Sequence, residues 1–241
     1  MSNHVLVIGG NGGIGSAIVT ELMQSNLTGS GDSVSYPPQS ELDVTWAVDE
    51  IQDAINKYTM SLDWPVAKGF THLVYCAGIN ELAMIPNIDY KHRGNFSEIL
   101  NVNVVGFARV LAAMIENNPL RSVVAISSDA AYRPMRGSLM YCAAKAALDM
   151  AVRCAARELA PDIRVNAVSP GMTEPTGMQE YIDKTVPAFR GWTSEEALRY
   201  EISQNPMGRR ATTEEVAKLV TSVLFGPEYL TGAIIPINGG R

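Results

Sequence analysis

Two serines, Ser127 and Ser128, precede Tyr141 by about a dozen residues, and Lys145 follows the tyrosine after three intervening positions. If Gly137 to Leu159 forms a helix, the phenol and the ammonium lie one above the other on the same face. An ammonium held close to a phenol favours the phenolate and draws its pKa down from about 10 towards neutrality. A tyrosine tuned in that way can give or take a proton at physiological pH. Ser128 sits at the end of an apolar run, Ser122 to Ile126, that reads as a buried strand. Its hydroxyl could therefore grip the same substrate oxygen as Tyr141. A Tyr-x-x-x-Lys pair alone is more often part of a solvated helix face, so the surrounding elements carry the decision.

Those elements begin at once. His4 to Ile8 is a continuous apolar run suited to a strand covered on both faces. Gly9 to Gly15 follows as a glycine-rich turn, and Ser16 to Gln24 has helical spacing. Strand, glycine turn and helix together suggest phosphate binding, because glycines let backbone approach a pyrophosphate and a helix N-terminus offers free N–H groups. Ser33 to Tyr36 reads as a second strand ending at Pro37-Pro38. Leu42-Asp43-Val44 comes too soon after it, since a parallel crossover takes about ten or more residues. The spacing predicts that one strand and its helix are missing around residues 37–43.

Trp46 to Leu62 has an amphipathic helical pattern, and Thr71 to Tyr75 is the next strand, running into Cys76-Ala77-Gly78. Small residues at the carboxyl end of a parallel strand leave room for a ligand. Phe96 to Ile115 is a long helical pattern that contains Asn101 and Asn103. Arg121 to Ile126 and Ile163 to Val168 are strands, the latter closing in Ser169-Pro170-Gly171. Thr213 to Leu224 is a helix capped by Thr212 or Thr213, with Glu214 and Glu215 in its first turn. Ala233 to Ile237 is the last strand. This alternation predicts a Rossmann-like, doubly wound parallel α/β sheet in a single domain spanning residues 1–241. Residues 172–206 give no strand signal and contain Pro175, Gly177, Pro187 and Gly191; beside the carboxyl ends of the strands they are expected to form a substrate lid.

With 241 residues and 46% apolar composition the chain can bury a substantial core. No uninterrupted apolar run reaches the roughly 18 residues of a membrane span, and the beginning of the sequence lacks the features of a signal peptide. Cys76, Cys142 and Cys154 look like buried free thiols of a reducing compartment, which makes a cytoplasmic enzyme with no membrane association the expectation. His4, His72 and His92 are scattered, so no metal site is expected. The net charge is −6, which argues against a nucleic-acid partner. Residues 1–56 hold no Lys or Arg and are −7 by themselves.

Taken in order, these motifs resemble the short-chain dehydrogenase/reductase family over essentially the whole chain. Gly9, Gly13 and Gly15 match its glycine motif, with Asn11 and Ile14 inside the turn, although Ile8 stands where a threonine is usual. Asp43-Val44 matches its adenine-side dipeptide. Cys76-Ala77-Gly78 stands where the family has Asn-Ala-Gly, so Cys76 replaces a residue that stabilises the sheet. The resemblance implies catalytic roles for Asn103, Ser128, Tyr141 and Lys145. Tyr141 would be the acid/base, Lys145 would lower its pKa and hold the nicotinamide ribose, Ser128 would position the substrate oxygen, and Asn103 would fix a water. Pro170, Gly171 and Thr173 match the segment that clamps the nicotinamide carboxamide.

The same resemblance implies a hydride transfer between nicotinamide and a secondary alcohol or ketone of small size. The cofactor expected from charge is NAD: a 2′-phosphate wants a cation, none precedes Lys57, and Glu41 would repel a phosphate. Tyr132, Arg133 and Arg136, between Ser128 and Tyr141, make an anionic substrate conceivable, and contact with water or a neighbouring subunit is equally open. A run of alanines on the Tyr141 helix permits close packing, and family members pair such helices, so a homodimer or homotetramer is expected. A 3-oxoacyl-thioester or pteridine-type reductase is an alternative reading. A non-catalytic dinucleotide-binding sensor or structural protein is another, opposed by the complete catalytic set.

Overall fold

The computed structural model describes residues 2–25, 32–61, 69–87 and 95–241. Within these, the expected alternation is present. Strand β1 (His4–Ile8) leads through the glycine turn into helix α1 (Gly13–Gln24), then β2 (Ser33–Ser35), α2 (Val48–Ser61) and β3 (His72–Tyr75). Helices α3 (Asn95–Leu100) and α4 (Gly106–Asn117) are joined by a π-helical turn, and β4 (Ser122–Ile126) precedes α5 (Leu139–Leu159). The chain continues with β5 (Arg164–Pro170), β6 (Thr173–Glu174), α6 (Gly177–Arg190), α7 (Ser194–Ser203), β7 (Ala211–Thr212), α8 (Thr213–Leu224) and β8 (Ile234–Ile237). Leu62, expected to end α2, and His92 lie outside the described residues.

Six of these strands form one parallel sheet in the order β2-β1-β3-β4-β5-β8. The strand order reverses between β1 and β3, which is where a doubly wound fold opens its ligand crevice. Among the described residues no strand lies outside β2, and residues 36–47 run from β2 to α2 without one, in agreement with the short spacing before Asp43. Side chains alternate across the pleat and so feed two cores. Leu6, Leu73, Tyr75, Val123 and Ala125 pack on one face with α2, α4 and α5. Val5, Val7, Val74 and Val124 pack on the other with α1 and α8.

Three expectations are corrected. Residues 172–206 hold more structure than breakers alone suggested. A two-residue strand, β6, pairs with β7, and two helices follow. Thr176 caps α6, Gly191 ends it in the left-handed region at φ 66°, and Thr193 with Glu196 forms a capping box on α7. These devices satisfy helix-end groups that Pro187 and the glycines would otherwise leave open. Second, Cys154 is exposed and Cys76 and Cys142 are only half-buried, so the three free thiols are not a buried set. Third, Ser97–Asn117 is long and apolar enough by length and composition to cross a membrane, with a mean hydropathy of 1.6. Polar residues interrupt it, so a search for an unbroken run passes it by; Phe107, Val110 and Met114 bury their side chains in the core beneath the sheet.

Candidate active site

Glycines, strand ends and one helix meet around a cavity of about 820 Å³ at the carboxyl edge of the sheet. Gly9, Gly13, Ile14 and Gly15 form part of its wall, as do Cys76 and Gly78 after β3. Ser128, just past β4, lines it with Tyr141 and Lys145 of α5, and so do Pro170 at the end of β5, Gly171 after it and Thr173 of β6. Asn11, Asp43, Val44 and Ala77 are not in this wall. Val44 is buried, packed near Gly106 of α4, and Ala77 stands behind Gly9. Asp43 accepts from the Thr45 backbone N–H and hydroxyl and from Gln39, and these donors outweigh its partial burial to hold its pKa below the usual range.

The serine pair is resolved by partner. Ser127 is buried and donates to the Asp149 carboxylate at 2.5 Å. Ser128 caps the following turn, accepting from the Ala130 N–H at 3.2 Å, and its hydroxyl acts on the Tyr141 phenol in favour of the phenolate. Tyr141 and Lys145 share a helix face, are both buried, and leave Nζ 5.6 Å from the ring centroid. Their electrostatics differ from the simple expectation. Burial pushes the Tyr141 phenol up to about 12, with the Ser128 hydroxyl acting the other way. The Lys145 Nζ donates to the Ile126 carbonyl at 2.9 Å. Burial in turn brings the Lys145 ammonium down to about 8.

Asn103 reaches this group through a backbone irregularity. The π-helical turn Asn101–Val105 widens the helix and frees carbonyls that an α-helix would bond. The Asn103 amide donates to the Ile99 carbonyl at 2.8 Å and to the Ile79 carbonyl at 2.9 Å, and the Tyr75 hydroxyl donates to the Val102 carbonyl at 2.5 Å. Asn103 is fully buried, yet its Oδ1 has no partner. That oxygen and the Lys145 ammonium converge over Gly78: a Cβ there would lie 2.9 Å from Oδ1 and 3.3 Å from Nζ. An orphaned buried acceptor facing an ammonium beside an open cavity is costly unless a polar guest completes it. Gly15 lies so close to the Gly9 carbonyl that no side chain fits there, which keeps the turn open to a phosphate. The site therefore fits a nicotinamide dinucleotide.

Sequence reasoning missed four contributors. Tyr36, just past β2, packs on Gly10, and the adjoining Ser35 is buried with an unpartnered hydroxyl. Arg109 of α4 donates to the Thr45 carbonyl at 2.9 Å, so the adenine-side edge does carry a cation, brought from far along the chain. Asp129 and Arg241 both line the cavity. Tyr132 is not in the wall; its hydroxyl accepts from Asn238 at 2.8 Å.

Comparison with known proteins agrees with this geometry. A family model described as Enoyl-(Acyl carrier protein) reductase matches residues 39–241. The vibriobactin-specific 2,3-dihydro-2,3-dihydroxybenzoate dehydrogenase of Vibrio cholerae is 31% identical over 203 residues, covering 76% of this chain and 74% of that protein. The 3-oxoacyl-acyl-carrier-protein reductase of Pseudomonas aeruginosa is 28% identical and covers 98% and 95%. A short-chain dehydrogenase structure from Francisella tularensis superposes with a TM-score of 0.81 at 25% identity, covering 100% and 98%. The chain belongs to the short-chain dehydrogenase/reductase family. It is an NAD(P)-dependent oxidoreductase acting at a CH–OH/C=O centre.

Proposed function

We propose that this protein interconverts a small secondary alcohol and its ketone, with Tyr141 as the proton donor and acceptor. The observation that carries the reading is the convergence of Ser128, Tyr141 and Lys145 on one cavity wall, with Asn103 buried behind it and facing Lys145 over Gly78. Gly9, Asn11, Gly13, Ile14 and Gly15 would hold the pyrophosphate, Asp43 and Val44 the adenine side, and Cys76, Ala77 and Gly78 the central crevice. Pro170, Gly171 and Thr173 would hold the nicotinamide. When bound, the nicotinamide supplies the hydride acceptor or donor at C4. Ser128 orients the substrate oxygen and Tyr141 exchanges its proton. Lys145 and Asn103 hold a water that passes the proton on to solvent.

For the cofactor, the lack of Lys or Arg between β2 and Asp43, the presence of Glu41 there and the acidic balance of residues 1–56 favour NAD(H). Arg109 is the side chain that opposes this reading, and ElxO, a fold neighbour at 23% identity, is a solved structure with NADP bound. Helices α6 and α7 form the lid, and Met178, Ile182, Val186, Phe189 and Leu198 give it an apolar inner wall. That wall also supports the second reading, reduction of a 3-oxoacyl thioester. Arg136 lines the cavity without a hydrogen bond or ion pair among the described residues, which supports an anionic group on the substrate. The exposed small residues Ala143, Ala146 and Ala147 on α5 support pairing of two chains. A cytoplasmic location agrees with the free thiols.

The test is a screen of secondary alcohols and ketones following NADH and NADPH absorbance, with Tyr141→Phe as control. Turnover that survives in Tyr141→Phe within tenfold of the parent would end the proton-transfer assignment. A clear preference for NADPH would end the charge argument.

A further inference from the structure

Asp129 directly follows Ser128 and is 2% exposed, yet its Oδ2 has no hydrogen-bond partner. Among the described residues the cation paired with it is Arg241, whose Nη1 stays 3.9 Å away, beyond hydrogen-bond reach. The Arg241 side chain is itself 11% exposed, and its Nε–H is buried without an acceptor. A buried acceptor and a buried donor thus stand side by side, both short of a partner, in the same wall as Ser128 and Tyr141.

The arrangement is held from behind. The Asn238 side chain donates to the Tyr132 hydroxyl and to the Arg241 carbonyl at 2.8 Å each, and Gly240 N–H donates to the Asn238 side-chain oxygen at 3.2 Å. The hydroxyl of Tyr132 thereby ties residues 238–241 to the turn that carries Asp129. A buried carboxylate and guanidinium left this loosely matched lose more by desolvation than their attraction returns. Burial accordingly raises the Asp129 pKa, with Arg241 and then Arg133 opposing.

We propose that Asp129 and Arg241 form a substrate subsite that reads a hydroxyl group on the substrate, separate from the carbon that is oxidised. A hydroxyl both donates and accepts, so one group completes both orphans. A second carboxylate would meet Asp129, and an ammonium would meet Arg241, so a neutral group is selected. The substrate class is then a hydroxylated alcohol or ketone, such as a diol or hydroxyketone. The assignment rests on the oxidoreductase reading only for the location of the reacting carbon.

The test compares binding with turnover. Ligand-observed NMR on the nucleotide-saturated protein would rank cyclohexanol against cyclohexane-1,2-, 1,3- and 1,4-diol. At least one diol is expected to bind about tenfold more tightly than cyclohexanol, the scale of one hydrogen bond to a charged group. That preference is expected to vanish in Asp129→Ala and in Arg241→Met, with Asp129→Asn retaining part of it. Equal binding of all four probes, or a preference that survives in both variants, overturns the subsite. Absence of turnover with intact diol preference would instead count against the proposed reaction, so the two failures are distinguishable.

Discussion

Two buried cations, Lys145 in the cavity wall and Arg210 among β6, α6 and α7, are treated in opposite ways. Arg210, with its side chain 4% exposed, makes five hydrogen bonds, to Asp183, Glu201 and Glu174, one for each of its N–H donors. These bonds tie β6, α6 and α7 to the segment entering β7, and they drive its pKa further up. Lys145 is equally buried, but among the described residues its hydrogen bond goes to a backbone carbonyl and no carboxylate bonds to it. Burial lowers its pKa to about 8. A cation that is fully satisfied is structural, because it has nothing left to offer a ligand. One left under-satisfied at a cost in stability points to function.

The contrast yields opposite expectations for two isosteric truncations. Lys145→Met should lower kcat by about a hundredfold or more, within the range of lost acid–base support. The same change should raise the melting temperature at pH 7. The ammonium, with its pKa lowered to about 8, is held charged in the fold at a cost of up to about 3 kcal/mol at 1.36 kcal/mol per unit. The sign is that of a depressed base: the cost is full below pH 8 and fades as pH rises towards the ordinary lysine value. Calorimetry at pH 7 and pH 10 checks both; a variant less stable than the parent at pH 7 would sink the comparison. Arg210→Met should do the reverse and destabilise by about 2–3 kcal/mol, below the full cost of breaking a buried pair because Asp183 and Glu174 are partly solvated. Its expected kinetic mark is a raised KM with a smaller change in kcat, since the lid loosens while Tyr141 is untouched. An unchanged melting point would show that the three carboxylates do not depend on this arginine.

The same contrast explains what could be read from the sequence. Lys145 was legible because its partner is four residues away on one helix, and helical geometry alone sets their relation. The doubly wound parallel sheet and the missing strand were legible because strand–helix alternation implies the first and strand spacing constrains crossovers. Arg210 was not, since its partners come from 9, 27 and 36 residues earlier and only folding brings them together. Arg109 and Arg241 were hidden in the same way, and the charge count over residues 1–56 could not see Arg109 arrive beside Thr45. Helices α6 and α7 were a different case. Thr176, Gly191 and the Thr193/Glu196 box are local signals, and Pro187 inside α6 masked them. Asn103 needed the π-turn, which no apolar spacing announces.

The smallest expected effect is spectroscopic and bears on the electrostatics of the Tyr141–Lys145 pair. Lys145 was expected to bring Tyr141 towards neutrality, whereas burial brings it to about 12 in the ligand-free chain. Burial disfavours the charged phenolate, so the phenol should stay protonated as pH rises through the ordinary tyrosine range. Subtracting the Tyr141→Phe ultraviolet titration from that of the parent should therefore show no tyrosinate below pH 10 without nucleotide. With saturating oxidised nucleotide the onset should move below pH 10, because the positively charged nicotinium ring favours an adjacent phenolate. If tyrosinate already appears near pH 7–8 in the ligand-free protein, Lys145 suffices by itself and the pairing seen here with the Ile126 carbonyl is irrelevant to the chemistry. If it appears at the same pH with and without nucleotide, the proton-transfer role must draw its driving force from the substrate oxygen rather than from a shifted tyrosine.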